Sequence, residues 1–163
     1  NRNMLIPYTQ KDIQLNRILK KFAETIDITD TQYEDAESRY QAVSRFLGEC
    51  SVLSRFNPEL FPQGSFLLGT VVRPILEGEE YDIDIVCLLN TDKDTFTQYQ
   101  LKQMVGNRLK EPRYRSLLQP ENRRSWTLKY EESTKFHLDI LPAIPDDQTV
   151  KDVVAYINSL NAK

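Results

Sequence analysis

Apolar residues recur at helical spacing in the first fifty positions of this chain. Further on, segments with the alternation of a strand occur together with helical ones. Residues 12–22 place apolar side chains near helical spacing, which predicts a short amphipathic helix. A stronger helix follows Thr29, because Thr29 and Gln32 have the spacing of a capping box. Its apolar face carries Tyr33, Ala36, Tyr40, Val43, Phe46 and Leu47.

Strand patterns begin later in the chain. Val71-Val72 and residues 81–89 are predicted as strands, and the segments SWTLKYE and KFHLDILP, residues 125–131 and 135–142, can pair as a hairpin. In the expected register one face carries Trp126, Leu128, Tyr130, Phe136, Leu138 and Ile140. The opposite face then carries Thr127, Lys129, His137 and Asp139.

Helical and irregular segments complete the pattern. Asp94 and Thr95 can cap a helix over residues 94–110, and Pro112 should stop it. Residues 111–124 are polar and basic and are predicted as a loop, either a solvated surface or a contact for a polyphosphate. Thr149 can cap a terminal helix. A mixed, twisted sheet of four or five strands, with helices on one face, is therefore expected: an α+β fold.

Composition narrows the classes of function. With 163 residues, 40% of them hydrophobic, the chain is predicted to form one soluble domain. A net charge of -3 argues against long nucleic acid as a partner. Two cysteines are too few for a disulfide framework or a zinc cage. The sequence shows neither a membrane-spanning run nor a signal-peptide pattern, so a cytoplasmic location without membrane association is expected.

The segment EYDIDIVCLL places two aspartates at the mouth of an otherwise apolar strand. Because side chains alternate in a strand, Asp82 and Asp84 point to one side and the apolar residues to the other. Two like charges beside a core repel each other, and a divalent cation such as magnesium would compensate them. A solvent-exposed strand end is the alternative. Asp139, turned away from the core by the hairpin register, would complete a site for two metals.

Gly64 and Ser65 precede this strand in a turn. Glycine permits close approach of a ligand to the backbone, and serine offers an amide and a hydroxyl to a phosphate oxygen. A Gly-Ser pair alone indicates nothing, but the pair followed by Asp82, Asp84 and Asp139 suggests phosphoryl transfer. In that chemistry one metal lowers the pKa of an attacking hydroxyl and the other neutralises the leaving pyrophosphate.

These motifs, in this order, resemble the DNA polymerase beta-like nucleotidyltransferase superfamily. Within it, PQGSFLLGTVVRP, EYDIDIVCLL and FHLDILPAIP are similar to the CD-NTases, bacterial relatives of cyclic GMP-AMP synthase. The resemblance implies that Gln63, Gly64 and Ser65 hold the triphosphate of the donor nucleotide. It implies that Asp82 and Asp84 bind two Mg²⁺ ions, replaceable by Mn²⁺, and that Asp139 binds one and helps to activate the acceptor hydroxyl.

The implied function is template-independent synthesis of cyclic di- or trinucleotide second messengers from nucleoside triphosphates, in anti-phage defence. A regulatory protein partner is a further implication. Family members are about twice this length, so residues 1–163 would form a catalytic core without the C-terminal helical domain that completes the cleft. The alternatives are synthesis of a linear oligonucleotide, nucleotide transfer to protein or RNA, and a catalytically silent nucleotide-binding or interaction module.

Overall fold

The computed structural model describes residues 9–74, 80–92, 94–131 and 135–145. The helices of this part are α1 Gln10–Ile26, α2 Asp30–Gly48, α3 Gly64–Leu68, α4 Gln98–Leu109 and α5 Pro112–Arg115. Its strands are β1 Glu59–Pro62, β2 Tyr81–Leu88, β3 Trp126–Tyr130 and β4 Phe136–Ala143, and a 3-10 turn covers Leu53–Phe56. The predicted terminal helix after Thr149 and the hairpin turn at 132–134 lie outside the described residues.

The four described strands form one mixed sheet in the order β1-β2-β4-β3. β2 and β4 run parallel to each other at the centre of the sheet. At its two sides β1 pairs antiparallel with β2, and β3 pairs antiparallel with β4. The expected α+β class, with a mixed sheet, is confirmed. The β3–β4 register is the predicted one, with Trp126 opposite Ile140 and Leu128 opposite Leu138.

One face of the sheet is the core face. On β2 the buried residues alternate with exposed ones, as the sequence predicted. The core-face residues of the three longer strands are Tyr81, Ile83, Ile85, Cys87, Trp126, Leu128, Tyr130, Phe136, Leu138 and Ile140. Helices α2 and α4 contribute Val43, Phe46, Leu47, Val105 and Leu109 to the same cluster. The other face of the sheet is left for the polar residues of β2 and β4.

Two helix starts show the value of the capping box. Thr29 caps α2 by accepting a hydrogen bond from the Gln32 amide, and Gln32 reciprocates, as predicted. The prediction that Asp94 and Thr95 cap the next helix is wrong, since they lie three and two residues before the observed cap. Thr97 is the N-cap of α4, because its hydroxyl accepts from the Gln100 amide and the Gln100 side chain returns to the Thr97 backbone.

Several local predictions need correction. Val71-Val72 is not a strand; Val72 forms only an isolated bridge with Asp27. The segment 111–124 is not wholly a loop, since Pro112 begins α5 and Leu118 bridges Leu128 beside β3. Helix α1 extends past both predicted ends, and its apolar side chains remain about half to two-thirds exposed. Those side chains are Ile13 (49%), Leu15 (55%), Ile18 (65%), Leu19 (54%) and Phe22 (60%). None of the described helices is long and apolar enough to cross a membrane.

Candidate active site

Asp82 and Asp84 project from the exposed face of β2, while Tyr81, Ile83 and Ile85 are buried on the other. The neighbouring strand β4 runs parallel and in register, so Asp84 is the direct partner of Asp139. Strands in a sheet lie about 4.8 Å apart, which makes these two carboxylates nearest neighbours. The three aspartates selected from the sequence therefore share one patch of the sheet.

The three aspartates bring like negative charges together on this patch of the sheet. The pKa of the Asp84 carboxyl is raised above its usual value, first by desolvation and then by the charges of Asp139 and Asp82. A raised carboxyl pKa means that the ionised form is held against its preference. A cation placed between these residues would remove that penalty.

Gly64 lies directly beside Asp84. A Cβ built on Gly64 would come within 3.1 Å of Asp84 Oδ2, and the residue has a φ of +61°, which side chains rarely tolerate. The backbone amide of Gln63 donates to the Asp84 carbonyl at 2.9 Å. The predicted Gln63-Gly64-Ser65 segment is thus joined to the aspartate strand through its backbone. It is the start of a short helix, α3, rather than a simple turn.

The residue after Ser65 anchors this segment to α2. Phe66 is 2% exposed and stacks on Tyr33, with ring centroids 4.6 Å apart. Tyr40 meets the same ring edge-on at 6.4 Å. Two tyrosines from the long helix therefore hold the first turn of α3 against β2. Among the residues that the structure describes, α3 has no side-chain cap at Gln63.

Asp139 has a fixed partner of its own. The Thr127 hydroxyl donates a hydrogen bond to Asp139 Oδ1 across the β3–β4 pair. Asn122 Nδ2 donates in turn to Thr127 Oγ1 at 3.3 Å. A hydroxyl that accepts from Asn122 has its proton directed toward the carboxylate. This pair of contacts orients one of the three aspartates from the loop that precedes β3.

Asp82 is turned toward a second group of polar residues. His137, its parallel partner on β4, places Nδ1 3.4 Å from Asp82 Oδ1 and Nε2 2.5 Å from Glu80 Oε2. Lys129 reaches the same Glu80 at 3.0 Å and Glu131 at 3.1 Å. The Lys129 ammonium donates hydrogen bonds to these two glutamates, which raise its pKa, so it stays charged. Lys129 is therefore held by Glu80 and Glu131, opposite His137 on β4.

The donor set suits a hard divalent cation. Within the described ranges no three His, Cys, Asp or Glu side chains already converge as an ion cage. Asp82 accounts for this in part, because its side chain is 69% exposed and faces His137. Three carboxylates without a thiolate are the ligands that magnesium and manganese prefer. The mutual repulsion of Asp84 and Asp139 gives such an ion a reason to bind, so the residues fit the metals that the sequence implied.

The family follows from a comparison of the whole chain. Residues 13–161 match the model of the Second Messenger Oligonucleotide or Dinucleotide Synthetase domain, abbreviated SMODS. The chain belongs to the SMODS family. The resemblance to CD-NTases and to polymerase beta-like nucleotidyltransferases is thereby confirmed, and with it the assignment to a nucleotidyltransferase family.

Individual proteins similar to this SMODS chain support the same family assignment. It is 28% identical over 141 residues to a c-di-GMP synthase of Roseivirga ehrenbergii, a match that covers 85% of the chain and 36% of that protein. It is 25% identical to the Bradyrhizobium diazoefficiens CD-NTase CdnG, whose structure is in complex with GTP. That superposition has a TM-score of 0.67 and covers 83% of the chain and 39% of CdnG.

A third relative, in the CdnC:HORMA-deltaN complex of E. coli MS115-1, shares the fold at 21% identity and a TM-score of 0.59. The match covers 80% of the SMODS chain and 41% of that relative. The chain thus spans between a third and half the length of these three proteins.

The sequence of the SMODS chain predicts the three aspartates and Gly64 as site residues, but it assigns no contact to Thr127 or His137. Their predicted position on the polar side of the hairpin, with Asp139, is the available signal. Neither residue type is diagnostic by itself, because surface threonines and histidines are common in strands. Only the parallel pairing of β2 with β4 shows that His137 meets Asp82.

Proposed function

We propose that this chain is the catalytic core of an enzyme that joins nucleoside triphosphates into a cyclic dinucleotide and releases pyrophosphate. The observation that carries the proposal is the pairing of Asp84 with Asp139 on parallel strands, beside Gly64, whose φ is +61° and whose Cβ would lie 3.1 Å from Asp84 Oδ2. The similarity to a c-di-GMP synthase supports this reaction class. The similarity to a GTP-bound CD-NTase supports nucleotides as substrates.

In this proposal Asp82, Asp84 and Asp139 hold two Mg²⁺ ions, for which Mn²⁺ can substitute. When bound, the metals lower the pKa of the attacking hydroxyl and neutralise charge on the phosphates. Asp82 must turn from His137 to join them, and its exposed side chain can do so. Asp139 stays oriented by the Thr127 hydroxyl and contributes to activation of the acceptor hydroxyl.

The donor triphosphate is assigned to Gln63, Gly64 and Ser65. Gly64 lets the triphosphate approach the backbone beside Asp84, and the Ser65 hydroxyl and amide contact its oxygens. Phe66 keeps this segment in place through its stacking on Tyr33. Because the segment is prepositioned against the metal-binding strand, nucleotide binding brings the reacting phosphorus to the carboxylates without further ordering.

The proposal also covers the biological role of the enzyme, its location and its product. We assign the enzyme to anti-phage defence in the cytoplasm, with a cyclic di- or trinucleotide as product and synthesis independent of a template. A second, helical part of a longer protein completes the nucleotide cleft. A regulatory protein partner is also proposed, since a relative is known in a HORMA complex.

The test is product analysis with the full natural protein. Incubation with radiolabelled ATP, GTP, CTP and UTP and Mg²⁺ should give a phosphatase-resistant product whose mass is that of a cyclic oligonucleotide. Omission of Mg²⁺ should prevent its formation. A phosphatase-sensitive ladder would instead indicate linear synthesis, and label on protein or RNA would indicate transfer to those acceptors. Nucleotide binding without any pyrophosphate release would identify a silent module and contradict the proposal.

The hydroxyl of Thr127 provides a further prediction. Thr127→Val keeps the shape of the side chain but leaves Asp139 Oδ1 without its donor. We expect kcat to fall by about 10- to 100-fold, the range typical of residues that orient metal ligands. Mn²⁺ affinity, measured by calorimetry with a non-hydrolysable nucleotide, should weaken as well. Thr127→Ser should restore both quantities, and unchanged values in Thr127→Val would show that the hydroxyl has no positioning role.

A further inference from the structure

The polar face of the sheet carries two rows of side chains that run across the strands. One row contains the carboxylates Asp84 and Asp139, which are direct partners on β2 and β4. In the other row Asp82 is paired with His137 on β4, and His137 with Lys129 on β3. One of the three candidate metal ligands therefore lies in a different row from the other two, beside the single histidine of the chain.

The imidazole of His137 is held in place through the ring nitrogen that does not face Asp82. Its Nε2 lies 2.5 Å from Glu80 Oε2, an oxygen that is itself buried. The Glu80 side chain is 14% exposed and also accepts a hydrogen bond from the Lys129 ammonium at 3.0 Å. Lys129 contacts Glu131 at 3.1 Å as well. Each of these contacts fixes the next, so the ring has a set position against which the Asp82 side chain can move.

Asp82 is the exposed partner in its contact with the ring. Its Oδ1 lies 3.4 Å from His137 Nδ1, and its side chain is 69% exposed, whereas that of His137 is 32% exposed. An exposed aspartate can change rotamer without disturbing the core. The contact with the ring is therefore what directs this carboxylate.

The other two aspartates are already adjacent to each other. Asp84 and Asp139 lie opposite each other in register, and the Thr127 hydroxyl orients Asp139. Asp82 is two residues from Asp84 on β2, and strand geometry separates their Cα atoms by about 6.6 Å. To share an ion with Asp84, the Asp82 carboxylate has to swing along the strand, and it leaves His137 Nδ1 as it does so. Contact with the ring and contact with a shared ion are thus alternative positions of one carboxylate.

From this geometry we propose that His137 is a positioning residue that holds Asp82 away from the other two aspartates until a divalent cation displaces it from the ring. The inference rests on the metal-binding role proposed above and adds a competitor to it. Because metal binding has to break the contact between Asp82 and His137, the ring lowers the apparent affinity of the site for metal. The three aspartates come together only when metal is abundant or arrives with a nucleotide, whose phosphates bind the same ion.

Two neutral amides in place of the histidine isolate the contact. In His137→Asn the amide nitrogen can take the place of Nδ1 and keep a donor beside Asp82. In His137→Gln it can take the place of Nε2 and keep only the contact with Glu80. Both variants remove the ring and any charge on it, so a difference between them reports the contact with Asp82.

The experiment measures Mn²⁺ affinity of the full natural protein by calorimetry with a non-hydrolysable nucleoside triphosphate. His137→Gln should bind Mn²⁺ about two- to fivefold more tightly than His137→Asn, the effect expected for an exposed polar contact with a charged group. The Mg²⁺ concentration that gives the half-maximal rate of pyrophosphate release should fall by the same factor.

The direction of the change separates this role from a purely structural one. A residue that only supported the sheet would weaken metal binding when replaced, whereas release of Asp82 strengthens it. Equal affinities in His137→Gln and His137→Asn, or weaker binding in His137→Gln, would overturn the proposal.

A second measurement does not depend on catalysis. The ring nitrogens of His137 give ¹⁵N NMR signals that are identified by their loss in His137→Gln. At constant pH, addition of Mg²⁺ to the nucleotide-bound wild type should shift these signals as Asp82 leaves the ring. Unshifted signals, while Mn²⁺ still binds with an affinity that depends on Asp84, would overturn this inference and leave the proposed function intact. Absence of metal binding to the wild type would contradict the proposed function and this inference together.

Discussion

Asp84→Asn is expected to abolish nucleotidyl transfer while leaving the protein folded and somewhat more stable. The substitution keeps the size of the side chain but removes the charge that a bound metal requires. Even groups that only orient metal ligands contribute about 10- to 100-fold, so loss of the ligand itself should reduce kcat by at least about 100-fold. Pyrophosphate release measured with wild type and variant in parallel checks this result.

The expected rise in stability follows from the raised pKa of Asp84. Burial and the neighbouring charges of Asp139 and Asp82 make its ionised form unfavourable in the folded state. At neutral pH the wild type therefore bears a penalty that Asp84→Asn removes. The penalty diminishes as pH falls through the raised pKa, because the carboxyl becomes neutral. The difference in Tm between variant and wild type should accordingly be largest near neutral pH and shrink in acid.

Asp12→Asn is the matched control for this prediction. Hydrogen bonds from the Thr9 hydroxyl and amide lower the pKa of Asp12, so its charge stabilises the first turn of α1 at neutral pH. Its replacement should lower Tm slightly and leave transfer unchanged. Full activity of Asp84→Asn, or equal loss of activity in Asp12→Asn, would contradict the role given to the β2 carboxylates.

The largest effect on folding is expected at Gly106 of α4. A Cβ on this residue would lie 2.1 Å from Trp126 Cζ2 and 2.6 Å from Nε1. Trp126 is 1% exposed and its indole donates to the Lys102 carbonyl at 2.8 Å, so the ring cannot move aside. Gly106→Ala should lower the free energy of unfolding by about 1–3 kcal/mol or more through overpacking. Urea denaturation measures the change.

Gly48 at the end of α2 supplies the comparison, because a Cβ there meets nothing within 4 Å. Gly48→Ala should be neutral or should stabilise by up to about 1 kcal/mol through backbone entropy. A double-mutant cycle with Trp126→Phe should show that the cost of Gly106→Ala shrinks when the larger ring is absent. Equal stability of Gly106→Ala and Gly48→Ala would show that α4 packs differently against β3.

The strand pattern made much of this arrangement predictable. Alternation alone placed Asp82 and Asp84 on one side of β2, and the hairpin register placed Thr127 beside Asp139. Both results depend on local periodicity, which a single sequence contains. The parallel pairing of β2 with β4 joins residues 55 positions apart in the chain, and no local pattern encodes it. For the same reason the contact between His137 and Asp82 could not be predicted.

The sequence also contains a signal for the observed start of α4. Thr97 and Gln100 have the same capping-box spacing as Thr29 and Gln32, but Asp94 and Thr95 competed as earlier caps. β1 and α3 are short, and a Gly-Ser pair after proline resembles a turn. Arg123 and Arg124 stand in a basic segment of the sequence. They line one cavity together with Tyr99 because their loop packs against α4, which only the three-dimensional structure shows.

The most direct test of the account is the position of metal in a crystal of the protein with Mn²⁺ and a non-hydrolysable nucleoside triphosphate. Anomalous scattering should place manganese between Asp84 and Asp139, with Asp82 turned away from His137 toward the metal. The triphosphate should lie against Gly64 and Ser65. Manganese absent from these carboxylates, or a triphosphate bound away from α3, would contradict the central claim.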